Sequence, residues 1–117
     1  MEHIAMILRK PPYGDINAAE AVRHALGGVS GDFKVSLIMT DGGVLVAKKG
    51  QDETGTGFTN LGAALKDCID MDVEVIADGG SLMENNIGQG DIVDGVRVAD
   101  IDEIAQILKK ADATMIF

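Results

Sequence analysis

Ile4-Ala5-Met6-Ile7-Leu8-Arg9-Lys10-Pro11-Pro12-Tyr13-Gly14 is the stretch that decides how this chain folds. Ile4 to Leu8 is an unbroken apolar run of strand length, as expected of a strand buried on both faces. Pro11 and Pro12 then deny the backbone both a ladder and a helix, since each removes an N–H and fixes φ. Pro12 also holds Pro11 toward extended geometry. The chain therefore leaves the strand stiffly, turns at Gly14, and presents Arg9, Lys10 and Tyr13 beside the start of a helix. In an alternating α/β chain that is where ligands and partners are met.

Outward from this stretch, strand-length apolar runs alternate with segments of helical period. Asn17 to about Gly27 reads as a helix. Asn17 and Glu20 suit a capping box, and Ala18, Ala21, Val22, Ala25, Leu26 and Val29 form its apolar stripe, with Gly27 and Gly28 helping to end it. Val35 to Met39 is a second strand, closing at Thr40-Asp41-Gly42-Gly43. Val44 to Ala47 is apolar and compatible with either element type. Lys48 to Thr59 is polar and glycine-rich and reads as a mobile loop.

Leu61, Ala64, Leu65, Cys68 and Ile69 repeat the helical stripe. Val73 to Ala77 is a third strand ending at Asp78-Gly79-Gly80, after which Ser81 and Glu84 carry a capping-box signature for a short helix. Val96 to Val98 is a short strand. Asp100 and Glu103 cap a last helix whose buried side is expected to hold Ile101, Ile104, Ala105, Ile107 and Leu108. Thr114 to Phe117 closes the chain as a strand. Such alternation predicts one domain over 1–117: an α/β three-layer sandwich with a mostly parallel five-stranded sheet and helices on both faces. Functional groups should then gather at the carboxyl ends of the strands, at Arg9 to Gly14, Asp41 to Gly43 and Asp78 to Ser81.

Composition excludes several classes of function. The net charge is −9, which opposes binding to nucleic acid phosphates or to an anionic membrane. With no Trp, one Tyr and three Phe, the chain lacks a platform for stacking bases. No apolar run approaches a membrane span, the N-terminus lacks a basic leader, and the one cysteine suits a reducing compartment, so a cytoplasmic protein is expected. Gly50 to Gly57 lacks the lysine of a triphosphate loop, and Asp52 and Glu53 would repel phosphate. His3 and His24 have no second ligand at metal spacing, and His24, off its helix's apolar stripe, reads as solvated. No metal and no cofactor are expected. Cys68 falls inside a buried stripe beside Asp67 and Asp70, where burial and negative charge both suppress the thiolate.

Taken together, the residues resemble the DsrE/DsrF/TusC family of small sulfur-relay proteins, and look most like its TusC/DsrF branch. The resemblance rests on the strand followed by Arg9-Lys10-Pro11-Pro12-Tyr13-Gly14, an Ala-rich helix, Asp41-Gly42-Gly43-Val44, Lys49-Gly50-Gln51, and the closing Ala111 to Phe117. It implies a parallel five-stranded DsrE-like fold, a cytoplasmic location, and assembly into homo-oligomeric trimers or hexamers or hetero-oligomers with DsrE-type paralogues. In active members of the family a cysteine just after the third main strand carries sulfur as a persulfide. The matching position here, before Gly79-Gly80-Ser81-Leu82, is Asp78, and a carboxylate holds no persulfide.

The expected function is therefore a non-catalytic or partner subunit of a sulfur-relay-type assembly. Arg9, Lys10, Tyr13, Asp41, Lys49, Gln51, Asp78, Gly79, Gly80 and Ser81 are its candidate binding residues, with Asp78 able to pair with Arg9 or Lys10. One alternative is a sulfurtransferase carrying a persulfide on Cys68. Another is a module binding a small anion or metabolite in a cleft of Arg9, Tyr13, Asp41 and Asp78.

Overall fold

The structure, a computed structural model, describes residues 2–12, 16–50 and 60–117. The order of elements is β1 (His3–Leu8), α1 (Asn17–Ser30), β2 (Lys34–Met39), a 3₁₀ helix (Asp41–Ala47), α2 (Leu61–Asp70), β3 (Glu74–Asp78), α3 (Gly79–Glu84), a 3₁₀ turn (Gln89–Asp91), β4 (Arg97–Ala99), α4 (Ile101–Lys110) and β5 (Ala113–Ile116). The five strands form one sheet in the order β4-β3-β2-β1-β5. All four pairings are parallel, with Met6 opposite Leu37 and Met115, Leu37 opposite Val75, and Ala77 opposite Val98.

Strand periodicity divides the side chains between two cores. Met6 and Leu8, Val35, Leu37 and Met39, and Val75 and Ala77 face α1 and α2, meeting Ala18, Ala21, Val22, Ala25, Leu61, Leu65 and Cys68. Ile38, Ile76 and Ala99 face the other way and are covered by Ile104, with Ile107 and Leu108 packed beside them. The three layers and the helices on both faces are as the alternation predicts. Each fully buried Leu, Ile or Met contributes about 1.5–3 kcal/mol, so the central strands hold most of the stability.

Several local expectations are corrected. The helix α1 does not stop at Gly27 and Gly28 but runs to Ser30. A Cβ at Gly28 would stand 2.9 Å from Val35 Cγ2, so this glycine serves close packing of helix on sheet. The Asn17–Glu20 capping box is absent: Ile16 holds the N-cap position without a side-chain bond, and Glu20 is turned to Arg23. Val44 to Ala47 is neither strand nor α-helix but part of the 3₁₀ helix, with Val44 and Val46 fully buried.

His24 is half-buried, its ring 5.4 Å from that of Phe117, because β5 ends beside α1. Ile101 is 68% exposed and Ala105 is exposed as well. The buried side of α4 is narrower than its pattern suggests, held by Ile104 with Ile107 and Leu108 partly buried beside it.

Candidate functional site

The carboxyl ends of β1, β2 and β3 are drawn together by backbone contacts before any side chain acts. Thr40 N–H donates to Leu8 O at 2.9 Å, and Arg9 N–H to Phe117 O at 3.0 Å. The 3₁₀ helix is pressed onto the end of β1 so closely that a Cβ at Gly43 would lie 2.1 Å from Leu8 O. Only glycine fits there. At the start of the same turn Asp41 adopts φ 51°, a left-handed conformation that Asp tolerates better than most residues.

Ser81 is the hub of the polar cluster that results. Its hydroxyl donates to Asp78 Oδ2 at 2.6 Å and accepts from the Asp41 N–H at 2.8 Å. Its own N–H also reaches Asp78 Oδ2, at 3.2 Å. Asn85 then ties the two segments from outside, its Nδ2 donating to Ser81 O at 2.8 Å and to Asp41 O at 3.2 Å. Ser81 is 4% exposed while its partners Asp78, Asp41 and Asn85 reach the surface, and the short bond to the carboxylate is of the stronger, charge-assisted kind.

Asp78, not Ser81, is therefore the N-cap of α3. The carboxylate at the end of β3 comes three residues before Ser81 and claims the amide that a cap must satisfy. Arg9 meets Asp41 instead of Asp78, with Nε 3.5 Å from Oδ2, and both side chains are more than 60% exposed. Such a pair contributes only ~0–1 kcal/mol. Lys10 is exposed at the exit from β1.

Lys49 stands apart from this cluster, with Nζ 3.5 Å from Asp94 Oδ1 and its N–H on Asp91 O at 2.7 Å. Tyr13 and Gln51 lie outside the described residues, as does the loop expected from Lys48 to Thr59 from residue 51 onward. Asn85 is the member that sequence reading passed over. Its signal was its place four residues after Ser81, one turn along the same helix.

Cys68 is fully buried in the core where α2 meets α1. Its Sγ lies 3.9 Å from Val22 O, a weak contact. Burial first, and the charge of Asp67 second, push the thiol up to about 11. At neutral pH the group is a protonated thiol with no route to solvent. Among the described residues no cluster of three His, Cys, Asp or Glu side chains could hold a metal ion, and no helix is long and apolar enough to cross a membrane.

A parallel five-stranded sheet with a capped turn at its carboxyl edge defines a small three-layer α/β protein. The DsrE/DsrF-like family model matches residues 2–117, and the chain belongs to that family. It is 29% identical to the intracellular sulfur oxidation protein DsrF of Allochromatium vinosum, covering 93% of this chain and 91% of the relative. An uncharacterized protein of Methanopyrus kandleri is 27% identical over 97% of this chain and 93% of its own length. Among solved structures the ychN protein of E. coli superimposes with a TM-score of 0.91 at 23% identity over the whole of both chains. A protein of unknown function from Methanobacterium thermoautotrophicum does so with a TM-score of 0.75 at 12% identity, again over both chains entirely. At these identities the two structures speak for the fold.

Proposed function

We propose that this chain is a non-catalytic or partner subunit of a sulfur-relay-type assembly, on the TusC/DsrF side of the family, that binds other subunits without itself carrying sulfur. One observation carries this reading. Where the family resemblance places a sulfur-carrying cysteine, this chain has Asp78, its carboxylate already engaged by the Ser81 amide and hydroxyl. The chain's one thiol is elsewhere, fully buried and held protonated. Persulfide transfer needs an accessible thiolate, and neither position supplies one.

An assembly with itself or with cysteine-bearing paralogues in the cytoplasm fits the exposed apolar groups of the edge strand β5, where Met115 is 38% and Ile116 66% exposed. The test is intact mass after incubation with inorganic polysulfide, before and after reduction. The expected spectrum shows no reducible gain of sulfur. A gain abolished by Cys68→Ser would overturn the reading and make the chain a carrier. Sedimentation of the chain alone and mixed with a cysteine-bearing paralogue gives the stoichiometry.

A further inference from the structure

A second feature lies on the other edge of the sheet. Among the described residues, strand β4 has a hydrogen-bonded neighbour on one side only. Beside it, between the first turns of α3 and α4, runs a groove of about 560 Å³ lined by Asp78, Gly79, Gly80, Val98, Ala99, Asp100, Ile101 and Glu103. We propose that this groove docks an extended apolar segment flanked by lysine or arginine, presented by a partner protein. The proposal rests on the interaction-subunit reading in one respect, that a partner exists. It owes nothing to sulfur chemistry.

Shape argues for an extended occupant. Gly79, Gly80 and Ala99 give one wall almost no side-chain height, so a backbone can come close to it. Val98 and Ile101, 36% and 68% exposed, offer apolar contact that none of the described residues covers. Val98 also lines a second hollow of about 360 Å³ with Val96, Ile92 and Asp94, so the path continues along the strand instead of ending in a pocket. An open strand edge with side-chain hollows spaced along it is the arrangement that accepts an added strand.

Charge selects the kind of segment. The groove is lined by three carboxylates and by no basic residue. Arg97 Nη1 meets Glu103 Oε2 at 3.0 Å and offsets that charge. Asp78 and Asp100 accept from the amides of Ser81 and Glu103, and among the described residues neither is paired with a cationic side chain. A second copy of this chain would bring the same acids to the same place, and like charges brought together oppose the contact. A cationic segment removes that conflict.

The probe is a fluorescein-labelled peptide, Lys-Val-Arg-Ile-Lys-Val-Lys, titrated with the full chain by fluorescence anisotropy at moderate salt. Its control is Lys-Ser-Arg-Ser-Lys-Ser-Lys, of equal charge without the apolar groups. The first peptide is expected to bind and to shift the amide resonances of Gly79, Gly80, Val98 and Asp100, and the control to bind at least about tenfold more weakly.

Val98→Arg and Ile101→Arg, both at exposed positions, should each weaken the first peptide by about tenfold or more, while Met71→Arg, just past the end of α2, leaves it unchanged. Asp100→Asn keeps a capping acceptor and removes the charge, so it weakens binding with the fold intact. Equal affinity for the serine peptide, or resonance shifts centred on β5, overturns the proposal. Self-association of the unmodified chain that Val98→Arg abolishes overturns it too, by placing a second copy in the groove. Sulfur loading of Cys68 would refute the proposed function and leave these titrations as they are, so the two failures are distinguishable.

Discussion

Replacing Asp78 with alanine tests whether the polar cluster at the carboxyl edge is a structural unit. The substitution removes the N-cap of α3, which costs about 0.5–2 kcal/mol in comparable helices. It also takes from the Ser81 hydroxyl the acceptor it meets at 2.6 Å. Ser81 is 4% exposed, so water does not fully replace that partner, and a buried polar group left short of a bond costs about 1–3 kcal/mol. Both effects act through one pair of residues and overlap, which places the expected loss at about 2–3 kcal/mol.

For a chain of this size that lowers Tm by about 8–12 °C. Asp78→Asn retains an acceptor for the Ser81 amide and should lose only about 1 kcal/mol. In the Asp78→Ala background, Ser81→Ala should then cost markedly less than it does alone, giving a coupling of about 1–2 kcal/mol. Urea unfolding of the four proteins measures this cycle. If Asp78→Ala lies within about 0.5 kcal/mol of the parent, or the two substitutions simply add, the cluster is not the unit described here.

Three further outcomes are expected. Folding raises the Cys68 thiol to about 11, against about 8.5 in an unfolded chain. The folded state therefore holds a proton that the unfolded state releases between these values. That stability is fully present below about pH 8.5 and declines by roughly 3 kcal/mol as the pH climbs through the window. Urea unfolding should show this decline for the parent relative to Cys68→Ala, and parallel profiles would refute it. Gly43→Ala, whose Cβ would meet Leu8 O at 2.1 Å, forces backbone apart and should cost at least about 2 kcal/mol by thermal unfolding. A loss under half of that would show the 3₁₀ helix free to move. Asp78→Cys puts a thiol at a partly exposed position and should take up reducible sulfur from polysulfide where the parent does not, as read by intact mass.

Much of the architecture was legible because its causes are local. The continuous apolar run at Ile4 to Leu8, and the nearly continuous one at Val35 to Met39 broken only by Ser36, mean burial on both faces, and a strand buried twice is a strand in a parallel sheet. Helical stripes such as Leu61, Leu65 and Cys68 announce which face goes inward, and Cys68 is fully buried as its stripe requires. Caps were legible only where one acceptor competed for one amide. Asp100 caps α4 as read, at 2.8 Å from the Glu103 N–H. At α3 two acceptors compete, and the strand end gives the position to Asp78, leaving Ser81 inside the first turn.

By itself, the order of residues determined the alternation of elements, the parallel sheet, the edge where β1, β2 and β3 end, and the carboxylate of Asp78 at the end of β3. Tertiary structure alone decided the partners within that edge. Whether Arg9 meets Asp78 or Asp41, and whether Ser81 bonds across to Asp41 and Asn85 reaches both segments, depends on how far α3 leans on the 3₁₀ helix. The 3₁₀ helix itself is placed over the end of β1 by the missing side chain at Gly43 and by the left-handed turn at Asp41. Periodicity in a sequence reports which face of an element is buried. It carries no information on the separation of two loops brought together from distant parts of the chain, and hydrogen bonds are made or lost within a few tenths of an ångström of that separation.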